Sequence, residues 1–168
     1  RGHTERRLLI LNDGIRHESQ KWGPDHALEI DPFSAGEISV IRGAPGARYG
    51  PDAMGGVILV IPPEMRSQAG VGGKLLTAYS SNGLSPYGAF RLDSVPKKYQ
   101  ALSLRVEGNL NQSSSLMTPN YVLGNTASKT WNLGGRVKWK QGSFELQGSW
   151  NHHDYKAGIF YGMRHPSP

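Results

Sequence analysis

The segment "IRHESQKWGPDHALEIDPF" places His17, Gln20, Trp22, Asp25, His26 and Glu29 within one short stretch. Imidazoles and carboxylates are ligands for borderline metals, and an indole offers a flat surface for stacking. Asp25 and His26 are the candidate metal pair. The bland alternative makes Asp25 or Ser19 the cap of a helical turn and His26 a polar loop residue. All six are candidate substrate contacts, because exposed loops on a rigid scaffold carry recognition. A second cluster, "NHHDY" at 151–155, offers His152, His153 and Asp154. Neighbours on a strand point to opposite faces, so at most one of these histidines joins a given site, and the stretch reads as a solvated loop base.

Covalent chemistry has no comparable candidates. Cysteine is absent, so there is no thiol nucleophile, no thiolate metal site and no disulfide framework. No serine sits in a nucleophile elbow, and no paired carboxylates lie in an apolar run. The glycine-rich "GAPGARYG" lacks the Gly-Lys-Ser/Thr that contacts phosphate and magnesium. The expectation is a protein that is not an enzyme and holds no cofactor.

The net charge of +6 comes from 19 Lys and Arg scattered against 13 Asp and Glu, without the basic block of a nucleic-acid arm. The 22 glycines and 11 prolines fall at turns rather than in a flexible linker. There is no run of 18 apolar residues, which excludes a transmembrane helix but not a transmembrane β-barrel, whose strands alternate.

The elements that must position these residues fall into two groups. Residues 1–62 read as a compact α+β unit. It has a strand in "RRLLILNDGIR" ending at Asp13-Gly14, a loop broken by Pro24 and Pro32 with one helical turn at "DHALEI", and strands "EISVIRG" and "GGVILVIP". Residues 63–71 form a connector. From residue 72 to 168 the pattern has period two, predicting five antiparallel strands joined alternately by tight turns ("VPKKY", "KQGS") and longer loops ("NQSSSLMTPNYVLGNTAS"). Leu102, Leu104, Val106, Gly108 and Leu110 share a face opposite Ser103, Arg105, Glu107 and Asn109; Trp131 to Trp139 and Phe144 to Trp150 repeat the pattern.

Alternation alone fits a soluble half-buried sheet as well as a lipid-facing one. Charges on the polar face of nearly every strand favour the second. So does the spacing of Trp131 and Trp139, roughly 26 Å at about 3.3 Å per residue, near the ~25 Å apolar band of outer-membrane barrels with aromatic girdles.

"ISVIRGAPGARYGPDAMGGVILV" closely resembles the plug signature of TonB-dependent outer-membrane receptors. The sequence runs from an apolar strand through Arg-Gly, a small-residue turn and Tyr-Gly to a Gly-Gly pair opening the last plug strand. "RG…RRLLILNDGIR" is similar to the earlier plug segment of the same family. The resemblance implies an α+β plug followed by antiparallel transmembrane β-barrel strands, here an incomplete barrel, since the family closes about 22 strands around its plug. It implies that the TonB box and most of the barrel lie outside this sequence. Arg1 and Arg42 match the family's plug arginines, whose planar forks pair with barrel glutamates. Arg48, Tyr49, Gly50, Gly55 and Gly56 complete the implied plug–barrel contacts, the glycines allowing close backbone approach. Glu107 and Glu145 are the inward-facing acids on the three clearest strands; the alternative for the arginines is ordinary solvated surface positions. "ILVIPP" replaces the Asn-Ile and Thr-rich closing strand usual in the family, pointing to a less typical subfamily.

The implied function is TonB-energised uptake of a scarce nutrient (ferric siderophore, haem, cobalamin or metal ion) across the outer membrane of a Gram-negative bacterium. The "PDHA" tetrad resembles the plug loop of zinc-uptake members. The implied partners are TonB, outer-membrane lipid and a small-molecule or metal-chelate ligand, with no nucleic acid. Two alternatives remain at this point. One is a soluble or surface β-rich module binding carbohydrate or protein; the other is a receptor that signals rather than imports.

Overall fold

The computed structural model describes residues 8–16, 33–53, 55–159, 162 and 164–166. The chain forms two compact units, Arg1–Glu64 and Met65–Pro168.

The first unit contains β1 (Leu8–Asn12), β2 (Ile15–Arg16), β3 (Glu37–Ile41) and β4 (Gly56–Ile61), in the sheet order β2-β1-β4-β3. The two central strands, "LLILN" and "GVILVI", run parallel, with Leu9 opposite Val57 and Ile10 opposite Ile58. Continuous apolar runs suit strands covered on both faces. Leu9 and Val57 are buried on one face, and Ile10 and Val60 on the other. Leu9, Ala53 and Val57 form the core, with Leu11, Ile41, Tyr49 and Leu59 packed against it. β1 turns into β2 through Asp13 and Gly14, both at positive φ (53° and 76°), with Asn12 paired to Ile15. Positive φ at both central residues is the two-residue hairpin turn that matches strand twist. The helical turn expected at "DHALEI" lies outside the described residues.

The second unit is a five-stranded antiparallel sheet. Its strands are β5 (Gly70–Ser80), β6 (Ser85–Val95), β7 (Leu102–Ser113), β9 (Ser128–Gln141) and β10 (Phe144–Ala157), in the order β10-β9-β7-β6-β5. Short strands β8 (Tyr121–Leu123) and β11 (Arg164–Pro166) pair with each other as a separate ribbon. The main strands are 11 to 14 residues long, sufficient for the roughly 9–11 residues that a tilted strand needs to cross a bilayer.

Three expectations change. The connection 81–84 is a tight turn closed by Leu84 N to Ser81 O at 3.3 Å, so long loops do not alternate regularly with short ones. The stretch 114–127, expected as a plain loop, contains β8. Its return is held by Ser114 N to Gly83 O at 2.6 Å and Leu123 N to Leu116 O at 2.8 Å. Finally, "NHHDY" is not a loop base: β10 continues through it, paired residue for residue with β9 up to Ala157↔Ser128.

A side chain at Gly14 meets no steric neighbour but must hold a left-handed backbone. Gly14→Val should therefore lower stability by about 1–2 kcal/mol, read as an earlier urea midpoint of the intact protein, whereas Asp13→Asn at the neighbouring turn position should leave the midpoint nearly unchanged.

Candidate functional site

Two structural features carry the predicted contacts: the arginine-glycine turn of the first unit and the charged face of the second unit's sheet.

In the turn, Ala44–Tyr49 forms a 3-10 helix with Pro in its first turn, followed by a second 3-10 turn at Pro51–Ala53. Gly46 N donates to Gly43 O at 2.9 Å, Gly50 N to Ala47 O at 3.1 Å and Ala53 N to Gly50 O at 3.2 Å. The chain then re-enters the sheet at Gly56, with φ 132° and a Cβ position only 3.0 Å from Ile41 O, where any larger residue is strained. Tyr49 packs against the core cluster. Arg48 donates to the Tyr49 hydroxyl at 2.8 Å, with its guanidinium carbon 4.9 Å from the ring centroid. Arg42 is exposed and Gly55 half-buried. Arg16 meets Asp52 at 2.6 Å and ties the hairpin to the second 3-10 turn; both side chains are largely solvated, so the pair adds little stability. Arg1, His17, Gln20, Trp22, Asp25, His26 and Glu29 lie outside the described residues. Among the described residues no group of three or more His, Asp or Glu is placed to hold a metal ion.

On the sheet, register decides which side chains meet. Arg91 stands opposite Glu107, and Asp93 opposite Arg105, which in turn faces Arg136. Arg91 Nε donates to Glu107 Oε2 at 2.7 Å. Arg105 binds Asp93 with two hydrogen bonds, Nε to Oδ1 at 2.6 Å and Nη2 to Oδ2 at 2.9 Å. This is the bidentate geometry that a guanidinium provides and an ammonium does not. Lys138 reaches Glu145 at 2.9 Å. Asn132 Nδ2 donates to Asn109 Oδ1 at 2.9 Å, and His153 Nδ1 bonds Asn132 Oδ1. Ser103 Oγ donates to the main-chain oxygen of Arg66 at 2.9 Å, so the connector lies against this face. Glu107 and Glu145, the inward-facing acids of the clearest strands, are thus each engaged by a cation of the sheet itself.

Burial follows the opposite sense to a water-soluble sheet. Ser103 and Arg105 are buried, Arg105 to 2% exposure, while Leu92 is 51%, Val106 47%, Val137 46% and Leu146 61% exposed. The two histidines of "NHHDY" separate as alternation requires. His152 lies with Trp131 on the apolar face, ring centroids 4.6 Å apart, while His153 stacks with Tyr155 on the polar face. At the other end of the apolar band Trp139 packs edge-on against Phe144 at 5.5 Å. Asp93 was missed in the sequence because Pro86 and Gly88 blur the alternation of its strand; the signal that finds it is the Arg91-x-Asp93 spacing, which puts both on one face.

Residues 1–57 match the TonB-dependent Receptor Plug Domain family. The first unit belongs to the plug domains of TonB-dependent receptors. The chain is 36% identical over 77 residues to the vitamin B12 transporter BtuB of Photobacterium profundum, a match covering 44% of this chain and 13% of that protein. It is 28% identical over 143 residues to a hemin receptor of Yersinia pestis, covering 79% of this chain and 21% of the relative. The chain therefore spans well under a third of the length of these curated relatives. In fold it is similar to the siderophore receptor PirA of Acinetobacter baumannii (TM-score 0.65, 23% identity, 92% of this chain and 25% of that one). It is also similar to the ferric enterobactin receptor PfeA of Pseudomonas aeruginosa (TM-score 0.63, 22% identity, 89% and 26%). The first unit is thus a plug domain. The open five-stranded sheet that follows it is part of an incomplete barrel, and the named relatives are transport proteins and receptors rather than enzymes.

Removing the charge of Asp93 while keeping its shape leaves the Arg105 guanidinium, 1% exposed, without its carboxylate. Asp93→Asn should cost about 3 kcal/mol, whereas the double change Asp93→Leu with Arg105→Met should cost much less. Denaturant unfolding of the intact receptor reads both, and equal losses would contradict the pairing.

Proposed function

We propose that the protein is an outer-membrane transporter of a Gram-negative bacterium that takes up a scarce nutrient (ferric siderophore, haem, cobalamin or a metal ion) with energy delivered by TonB. The observation that supports this reading is the inverted sheet. Ion-paired Arg105 and Asp93 sit on the occluded face, while Leu92, Val106, Val137 and Leu146 are turned outward. A sheet folded by water would hide the leucines and show the arginines. Hydrocarbon reverses the preference, and paired charges on the other face suit a wet barrel interior. The soluble β-rich module is disfavoured by the same observation, and no feature among the described residues argues for catalysis.

In this mechanism the loops at the long-loop end and the plug segment with His17, Gln20, Trp22, Asp25, His26 and Glu29 bind the cargo, and Asp25 with His26 contributes when the cargo contains a metal. TonB then draws on the plug to open a passage. Arg1, Arg42 and Arg48, with Tyr49 and the turn glycines Gly50, Gly55 and Gly56, hold the plug against the barrel until that force arrives.

The intact receptor should fractionate with the outer membrane and require detergent for extraction; recovery in detergent-free buffer would overturn the transporter reading. Titrating the purified receptor with cobalamin, hemin, a ferric catecholate and zinc should give saturable quenching of tryptophan fluorescence by one of them. His26→Ala should weaken binding at least about tenfold if the cargo contains a metal, the size of losing one ligand-sphere interaction. Unchanged affinity for each metal-bearing probe would remove the loop-ligand assignment.

A further inference from the structure

The polar face of the sheet changes chemistry along its length. Its charged side chains, from the row of Lys74, Arg91 and Glu107 inward, all lie toward the short-turn end. Toward the long-loop end the rows of that face carry no Lys, Arg, Asp or Glu among the described residues. In the first uncharged row His153 Nδ1 donates to Asn132 Oδ1, and Asn132 Nδ2 donates to Asn109 Oδ1 at 2.9 Å. The next row outward runs Tyr87, Asn111, Thr130, Tyr155 across four strands. Here the polar groups are not spent on one another. Ser85 Oγ donates to Asn111 Oδ1 at 3.2 Å, but neither the Asn111 amide N–H groups nor the Thr130 hydroxyl finds a partner among the described residues. Both side chains are half-buried and stand directly opposite each other. Half-buried donors without acceptors are costly to keep. Tyr87 and Tyr155 close the row, three strand spacings or about 14 Å apart.

We propose that Asn111 and Thr130, flanked by Tyr87 and Tyr155, form a subsite for an uncharged cargo that presents carbonyl or hydroxyl oxygens, an amide-decorated or polyhydroxylated molecule rather than an anionic chelate. The inference deepens the transporter reading above and rests on it. The row offers two amide N–H donors, a hydroxyl that both donates and accepts, and two rings with an apolar face and a polar tip. These suit neutral oxygens. Carboxylate and catecholate oxygens are instead held by charge-assisted bonds from Arg or Lys. The nearest cations on this face lie four residues inward, about 13 Å along the strand, which exceeds the screening length of about 8 Å at physiological salt. Arg91 is moreover already answered by Glu107 at 2.7 Å. Lys129 and Lys156, at the level of Thr130 and Tyr155, belong to the opposite face by alternation.

The test uses the intact receptor purified in detergent. Cyanocobalamin serves as the amide-decorated probe, maltoheptaose as the polyhydroxylated one, and ferric enterobactin and hemin as the anionic ones. Calorimetry reads each affinity at physiological and at raised salt. One of the two neutral probes should bind, which identifies the source of the oxygens, and its affinity should not change with salt. Asn111→Leu/Thr130→Val should weaken that binding about thirtyfold, the size of two neutral hydrogen bonds lost together. Thr130→Ser keeps the hydroxyl and should bind as wild type. So should Gln112→Ala, which alters the opposite face beside Asn111. Asn111→Lys should move the preference toward ferric enterobactin by at least about tenfold. Tighter binding of ferric enterobactin or hemin than of both neutral probes by the wild type would overturn the proposal, as would binding of no probe. Equal affinity of the wild type and the double variant, or an equal loss in Gln112→Ala, would overturn it too. A receptor of the outer membrane that prefers an anionic probe keeps the transporter reading and loses this one. A protein that needs no detergent loses both.

Discussion

The sheet depends on guanidinium groups being answered by carboxylates one strand away. Arg105 meets Asp93 through two hydrogen bonds and Arg91 meets Glu107 through one, all between 2.6 and 2.9 Å. A buried charge without a partner costs several kcal/mol, and a bidentate partner removes most of that penalty. Once those charges are neutralised across strands, the polar side can be occluded and the apolar side left open. Without the pairs, the same alternation would have to face the other way. The register is what achieves this, because a slip of one residue would carry every arginine to the apolar face.

The first unit answers the reverse demand with different means. Its central strands bury Leu9 and Val57 on one face and Ile10 and Val60 on the other, the ordinary outcome in water. Its described arginines, Arg16, Arg42 and Arg48, stay at the surface, and the ordered part of its motif is backbone. Two 3-10 turns are closed by hydrogen bonds from Gly46, Gly50 and Ala53, with Tyr49 anchored on the core. The chain therefore holds one unit ordered by apolar burial and another ordered by paired charge, and the change of rule falls between Glu64 and Met65.

Most of this was legible because period two is a direct geometric signature. Leu102 to Leu110 and Trp131 to Trp139 alternate without interruption, and β7 and β9 fall where that pattern puts them. The Asp13-Gly14 hairpin was legible for the same reason, since that dipeptide tolerates positive φ at both positions. What escaped is non-local or chemically ambiguous. β8 pairs with β11 across some forty residues of chain, and a three-residue strand carries no periodicity from which to infer a partner. "NHHDY" is polar enough to read as loop, yet its alternate residues divide between an aromatic and a polar face, as a strand requires. The candidate ligand segment, from His17 to Glu29, was identified from residue type alone and lies outside the described residues.

The two ends of the sheet are built to different specifications, which on the proposed transporter reading bears on where selectivity can reside. At one end the strands are joined by the short connections 96–101 and 142–143. At the other, polar side chains act as substitutes for backbone. Asn82 pairs with both the N–H and the carbonyl of Met117, at 2.8 and 3.0 Å, and Asn125 Nδ2 donates to Ile159 O at 2.7 Å. Asparagine suits this role because its amide presents the same donor and acceptor as a peptide unit. Loops pinned in this way hold their outline without calling on their remaining side chains. The wall of paired charges, by contrast, tolerates little change, since each member is required by another. On the transporter reading proposed above, discrimination among cargoes falls to the pinned loops and the uncharged row beside them, and the charged rows of the strands beneath are constrained by their own electrostatics.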